Sequence, residues 1–166
     1  MRLKSRALLI GLAAIALAAP VTGQKSDDQI TPKSVELQKA GEALYSQGKF
    51  DEATDTLETA LAVDPRNRPA FVALARVAEK EKLFGKAIRL TNKALLLEPN
   101  DLNAIAVQGE AMVELGATAK AQANLQKLKT LCPQGCVQLT QLSQAVTRGP
   151  TVAAATVKAA PKTKAD

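Results

Sequence analysis

The chain has 166 residues, with 22 Lys/Arg against 16 Asp/Glu, no His, two Cys and only four aromatic residues, Tyr45, Phe50, Phe71 and Phe84. The absence of His excludes Ser-His-Asp and Cys-His catalysis and the commonest metal ligand; two Cys are too few for a Cys-only zinc site, and the scarcity of aromatics argues against a β-sandwich or barrel. The net charge of +6 sits at the ends, +3 in residues 1–23 and +3 in 148–166, while 15 basic and 15 acidic residues cancel over 24–147, so the body lacks the basic surplus of a nucleic-acid-binding face.

Residues 1–23 read as an export signal. Arg2, Lys4 and Arg6 precede an unbroken Ala/Leu/Ile/Gly run from Ala7 to Ala19, which Pro20 ends. That run of 13 residues is short of the ~18 needed to span a bilayer, and the layout is that of a signal peptide; an uncleaved anchor is the alternative. Cleavage after Ala18 (Ala16-Leu17-Ala18) or after Gly23 (Val21-Thr22-Gly23) fits the small-residue rule. Export implies an oxidising compartment, and the short, Ala-rich signal points to a bacterial periplasm. A polar linker is expected over 24–33.

The body repeats itself. Pro65, Pro99 and Pro133 stand 34 residues apart and divide it into 34–67, 68–101 and 102–135. Unit position 4 holds Leu37, Phe71 and Ile105; position 7 holds Ala40, Leu74 and Gln108; position 8 holds the small residues Gly41, Ala75 and Gly109. Position 20 is always Ala (Ala53, Ala87, Ala121), and position 24 is Leu57, Thr91 and Leu125. Spacings of 3, 4 and 7 are helical. Turns are expected at Ser46–Lys49, Glu81–Gly85 and Leu115-Gly116, so each unit predicts a helical hairpin, ended where its Pro cannot continue a helix. The small residues allow two helices to approach closely. After Pro133 the register continues through Leu139, Leu142 and Val146, which predicts one capping helix over 136–148 with a polar outer face. The fold class is therefore all-α: a solenoid of three hairpins and a cap, seven helices in all.

The pattern of a small residue at position 8, Ala at 20, a small residue or Leu at 27 (Ala60, Ala94, Leu128) and Pro at 32 resembles the tetratricopeptide repeat family. The sequence departs from the family pattern at position 4, which lacks Trp, and at Thr91 and Thr118. The resemblance implies a groove lined by positions 2, 5, 9 and 12 of each first helix that binds a protein or peptide. Its partner-binding residues here would be Gln38, Glu42 and Tyr45, then Val72, Arg76 and Glu79, then Asn103, Ala106, Glu110 and Val113, with Val35 and Pro69 beside them. Glu42, Glu79 and Glu110, with Arg76 as the exception, would make this face mildly acidic and favour a basic or neutral ligand. Some members clamp a terminal carboxylate with Lys and Asn; here Gln38 and Glu42 stand in the first unit and Asn103 and Val107 in the third, so that clamp is not expected and an anionic peptide end is disfavoured.

Cys132 and Cys136 enclose Pro133-Gln134-Gly135, a turn that can bring the sulfurs together. In an oxidising compartment a structural disulfide tying cap to last repeat is expected; a redox-active pair, free thiols or a soft metal site are the other readings, although thioredoxin-like pairs have two intervening residues and a βαβ setting. Residues 149–166 carry Lys158, Lys162 and Lys164 among Ala, Thr, Val and Pro without amphipathic spacing, and read as a disordered basic tail that could weakly touch an anionic membrane surface. No glycine-rich phosphate loop, nucleophile elbow or metal cluster appears. The expected function is a non-catalytic, cofactor-free interaction scaffold with no small-molecule substrate; the alternative is a homo-oligomeric structural subunit of an envelope assembly.

Overall fold

Seven helices follow one another in residues 30–151, the part of the chain described by the computed structural model: α1 (Pro32–Ser46), α2 (Phe50–Val63), α3 (Arg68–Lys80), α4 (Phe84–Leu97), α5 (Leu102–Glu114), α6 (Thr118–Leu131) and α7 (Val137–Arg148). The described residues contain no strand. The expected signal segment, most of the linker and the tail beyond Thr151 lie outside them. The pairs α1–α2, α3–α4 and α5–α6 are antiparallel neighbours in chain order, and α7 packs against both α5 and α6. No described helix is long and apolar enough to cross a membrane.

The helix limits follow from the repeated chemistry. Helices α2, α4 and α6 stop at Val63, Leu97 and Leu131, each two residues before a repeat proline. At the next helix starts, Asn67 Oδ1 accepts from the Ala70 N–H at 3.1 Å and Asp101 Oδ1 from the Ala104 N–H at 2.8 Å, satisfying an amide that a helix start otherwise leaves open. α1 begins at Pro32, inside the stretch expected as linker, because proline is well suited to a first helical turn.

Each hairpin turns through one residue of left-handed backbone. Gly48, Lys82 and Gly116 have φ of 77°, 61° and 72° and stand 34 residues apart. The turn of the second unit therefore runs through Lys82; Gly85, placed in that turn by the sequence reading, belongs to the first turn of α4. A lysine at positive φ meets a steric cost that glycine does not.

Packing depends on the small residues. A Cβ on Gly41 would stand 2.5 Å from Leu57 Cγ, and one on Gly109 would stand 2.6 Å from both methyls of Leu142. The partner of Gly109 is thus a residue of α7, not one at position 4 or 24. Thr91 at position 24 is fully buried and bonds its hydroxyl to the carbonyls of Ala87 and Ile88, at 2.9 and 3.0 Å, so its polar atom is satisfied within its own helix. Ala40, expected in the apolar stripe of α1, is exposed; its counterpart Leu74 is buried because α3 lays that side against Ala53, Leu57 and Ala60 of α2.

Repeat junctions are hydrogen-bonded. Ser34 Oγ donates to the Ala60 carbonyl at 2.7 Å and accepts from Asn67 Nδ2 at 2.9 Å. Buried Asp64 accepts from the backbone N–H and hydroxyl of Thr31, at 3.0 and 3.1 Å, and from Arg66 at 2.8 Å. The Arg66 guanidinium, followed by the Thr31 N–H, holds the Asp64 carboxyl well below the usual carboxylate range. Arg68 of α3 pairs with Asp101 at the start of α5.

Replacing Lys82 with Gly is expected to raise stability by about 1 kcal/mol, by relieving the left-handed strain. Urea denaturation of the two chains measures it; an unchanged or lower midpoint would remove the steric account of this turn.

Candidate groove between the first helices

The first helices of successive pairs lie side by side, α1 against α3, α3 against α5, and α5 against α7. Open cavities lie along this face of the described residues. One, of about 370 Å³, is bounded by Glu42, Val72, Arg76, Asn103 and Gln138 among others; the second, of about 520 Å³, by Tyr45, Arg76, Glu79, Glu110, Gln141 and Arg148 among others. Arg76 borders both, and also a smaller cavity of about 260 Å³ shared with Glu42, Tyr45 and Ala73.

Seven of the ten expected groove residues line these cavities: Glu42, Tyr45, Val72, Arg76, Glu79, Asn103 and Glu110. Gln38 borders neither. Ala106 and Val113 are corrections: they are 2% and 1% exposed, covered by Leu142 and by Ala145 of α7, and so offer nothing to a ligand. Because α7 occupies that side of α5, the residues of α5 that border the cavities include Asn103, Glu110 and Glu114, with the buried Val107 between them. These are positions 2, 6, 9 and 13, spaced 4, 3 and 4, where 2, 5, 9 and 12 were expected. Ala73 and Lys80 on α3 and Gln141 and Arg148 on α7 occupy positions 6 and 13 of their own units and also line the groove. The two sets share positions 2 and 9, and their centres lie about 50° apart around a helix of 3.6 residues per turn.

A polar network positions the floor. Asn103 Oδ1 accepts from Gln138 Nε2 at 2.9 Å and from Arg76 Nη2 at 3.3 Å, which links α3, α5 and α7 by side chains of the groove itself. Beneath it, Gln108 donates to Asn92 at 2.6 Å and accepts from Asn124 at 3.0 Å, so the one polar residue at position 7 is paired on both sides. At one end, Tyr45 stands against Phe50 with ring centroids 5.8 Å apart. At the other, Arg148 approaches Glu114 at 3.6 Å, and the backbone N–H and hydroxyl of Thr151 both donate to Glu114 at 2.8 Å.

Two carboxyls give the groove its electrostatic character. Burial, reinforced by the neighbouring charge of Glu110, pushes the Glu79 carboxyl up to about 8, although Arg76 and Lys80 oppose the shift. Burial also raises Glu110, against Arg76 and Arg148. Desolvation is therefore the stronger effect at both, and each carboxylate would be favoured by a cation brought into the groove. No group of three or more described His, Cys, Asp or Glu residues is arranged to hold a metal ion.

Cys132 and Cys136 are joined as a disulfide across the α6–α7 turn, with Cα atoms 6.0 Å apart. The bridge lies at the end of α6, where it holds the start of the helix that forms the groove's last wall.

Residues 44–110 match the tetratricopeptide repeat family. Over 107 residues, 64% of its length, the chain is 35% identical to a TPR repeat-containing thioredoxin of Arabidopsis thaliana, and it spans 27% of that protein. Among solved structures it resembles the first TPR of Spaghetti (RPAP3) bound to the HSP90 peptide SRMEEVD, with 26% identity, a TM-score of 0.62 and coverage of 69% of this chain and 94% of that one. The Sgt2 TPR domain from Aspergillus fumigatus superposes with a TM-score of 0.65 at 20% identity, covering 71% of this chain and 79% of that domain. The all-α tetratricopeptide-repeat fold is thereby shown.

Because Glu79 titrates higher in the folded chain than in the unfolded one, its stability penalty is absent below about pH 4.5 and grows until about pH 8. Glu79→Gln is therefore expected to stabilise the protein by on the order of 2 kcal/mol at pH 8, allowing for the open groove, and by almost nothing at pH 4. Thermal melts at the two pH values measure the difference; the same shift at both would rule out a raised carboxyl.

Proposed function

We propose that this chain, built on the tetratricopeptide-repeat fold, is a non-catalytic interaction scaffold of the bacterial envelope that holds an extended peptide or protein segment in the groove of α1, α3, α5 and α7. The observation that carries this reading is the row of cavities along α1, α3, α5 and α7, with an apolar edge at Tyr45, amide side chains at Asn103, Gln138 and Gln141, and half-buried carboxyls at Glu79 and Glu110. Such a surface suits an extended backbone hydrogen-bonded by amides and anchored by a few side chains.

The favoured ligand is basic. The peptide held by the first TPR of Spaghetti, SRMEEVD, has three acidic residues; here Arg76, Lys80, Lys82 and Arg148 line the cavities beside Glu42, Glu79 and Glu110, so the preference for a basic ligand rests on the desolvated carboxyls and not on the net charge of the groove. A lysine or arginine would ionise Glu79 and Glu110, so binding should release protons near neutral pH and strengthen as pH rises toward 8. Titration of the chain with extended basic and acidic peptides, followed by calorimetry in two buffers of different ionisation heat, reads both properties. The basic peptides are expected to bind, with about 10-fold loss on Glu110→Gln or Tyr45→Ala. Preference for the acidic set, or affinities unchanged by both substitutions, would reject this groove as a basic-peptide site.

The envelope setting rests on the basic, apolar and small-residue order of residues 1–23 and on the Cys132–Cys136 bridge, which persists in an oxidising compartment. Expressed in a bacterium, the chain is expected in the periplasmic fraction with a new amino terminus at Ala19 or Gln24. Recovery of the intact chain from the cytoplasm would rule out export.

A further inference from the structure

We propose that the small cavity between α1 and α3 is an anchor pocket for one tyrosine side chain of the bound segment. That assignment rests on the groove being a peptide site, and it names a residue the ligand must carry.

The cavity, of about 260 Å³, is bordered by Glu42 and Tyr45 of α1 and by Ala73 and Arg76 of α3. Each pair is spaced by three, so each helix contributes one turn of a single face. A cavity of about 150 Å³ is enough for a benzene ring, so this one has room for a single aromatic side chain. Two of its walls are apolar. The Tyr45 ring is braced by Phe50, with centroids 5.8 Å apart and planes inclined at 53°. Ala73 offers only a methyl, packed into the core beneath.

The other two walls carry opposite charges, and these select among side chains. Among the described residues Glu42 and Arg76 make no ion pair, with each other or elsewhere. The guanidinium bonds instead to the neutral Asn103, at 3.3 Å. A ligand carboxylate entering between them would meet Glu42, and a ligand ammonium or guanidinium would meet Arg76. An uncharged side chain meets neither cost. The Glu42 carboxylate only accepts hydrogen bonds, so it favours a donor; the Arg76 guanidinium favours the electron-rich face of a ring. Serine, threonine and the amides supply a donor but no ring, and leave the apolar walls unfilled. Leucine fills the space without donor or ring, and phenylalanine lacks the donor. Tyrosine meets all four walls, with its ring against Tyr45, Ala73 and Arg76 and its hydroxyl donating to Glu42.

The pocket lies on the path of a segment crossing the helices. Glu42 and Arg76 also border the 370 Å³ cavity, and Tyr45 and Arg76 the 520 Å³ one. Neighbouring helices pack about 8–10 Å apart, and an extended chain covers about 7 Å in two residues and 10 Å in three. The tyrosine therefore stands two or three residues from the side chain that enters between α3 and α5.

The test uses one fluorescein-labelled extended basic peptide, free of other aromatics, made with Tyr, Phe, Leu, Gln, Arg or Glu at a single position. Anisotropy gives its affinity for the full chain and for the full chain carrying E42A, each checked for fold by circular dichroism. The Tyr peptide is expected to bind about 10-fold more tightly than the Leu, Gln, Arg and Glu peptides and about 5-fold more tightly than the Phe peptide. In E42A the ratio of Tyr to Phe affinity is expected to fall to about one. Tyr45 is the chain's only tyrosine and there is no Trp, so its emission reports on this pocket: at saturation with unlabelled peptide it is expected to shift with Phe and not with Gln. Equal affinities across the series overturn the proposal and leave the groove reading standing. Tightest binding of the Arg or Glu peptide also overturns it, by showing that one of the two charges decides. So does a preference for Tyr over Phe that survives in E42A, or a Tyr45 emission indifferent to the Phe peptide, since either places the ring elsewhere. If no peptide of the series binds, the groove reading fails together with the pocket.

Discussion

Two of the helix approaches in this protein form where one helix has no side chain at all, and the ends of the array depend on them. Gly41 receives Leu57 and Gly109 receives Leu142 so closely that a methyl group in either place would overlap its neighbour. Both leucines are fully buried, as are Ala53, Ala87 and Ala121 at the matching point of each second helix. With so few aromatics the core is filled by many short side chains at high density. Because a hairpin buries its apolar face chiefly against adjacent helices, the array needs an end, and α7 supplies it by placing Leu142 and Ala145 over α5.

The same helix that ends the core shapes the site. By covering Ala106 and Val113 it turns the accessible stripe of α5 toward Glu114, and it contributes Gln138, Gln141 and Arg148 to the groove. The cap is therefore a wall of the binding face as well as a lid on the core. Its attachment is reinforced by the disulfide at its start and by the Asn103–Gln138 bond along its length. Stability of the array and geometry of the groove are in this way properties of one packing contact.

Electrostatically the groove differs from a neutral trough. Arg76 stands at its centre and shares Asn103 with Gln138, leaving Glu79 and Glu110 in a partly dry pocket where burial outweighs the attraction of the nearby cations. Carboxyls in that condition are a store of unfavourable energy in the empty protein, and a ligand ammonium or guanidinium releases it.

The helices, their pairing and their 34-residue spacing were legible in the sequence, because Pro65, Pro99 and Pro133, the alanines at position 20 and the small residues at position 8 act through local rules: helix termination, periodicity and bulk. The place of Glu42, Arg76 and Glu79 on the side of their helices that borders the cavities could be read the same way, since a residue's position around a helix is a matter of its number. What the sequence could not determine was which neighbour each face meets. Ala40 and Leu74 hold the same register yet one is exposed and the other buried; Ala106 looks like a groove residue until α7 lies on it; Gly85 looks like the turn glycine until Lys82 takes the left-handed backbone. The raised carboxyls of Glu79 and Glu110 likewise arise only when α3 and α5 remove water from them together. Repeat spacing is encoded along one helix at a time, whereas burial, and with it the chemistry of the groove, is created between helices by the packing of distant parts of the chain.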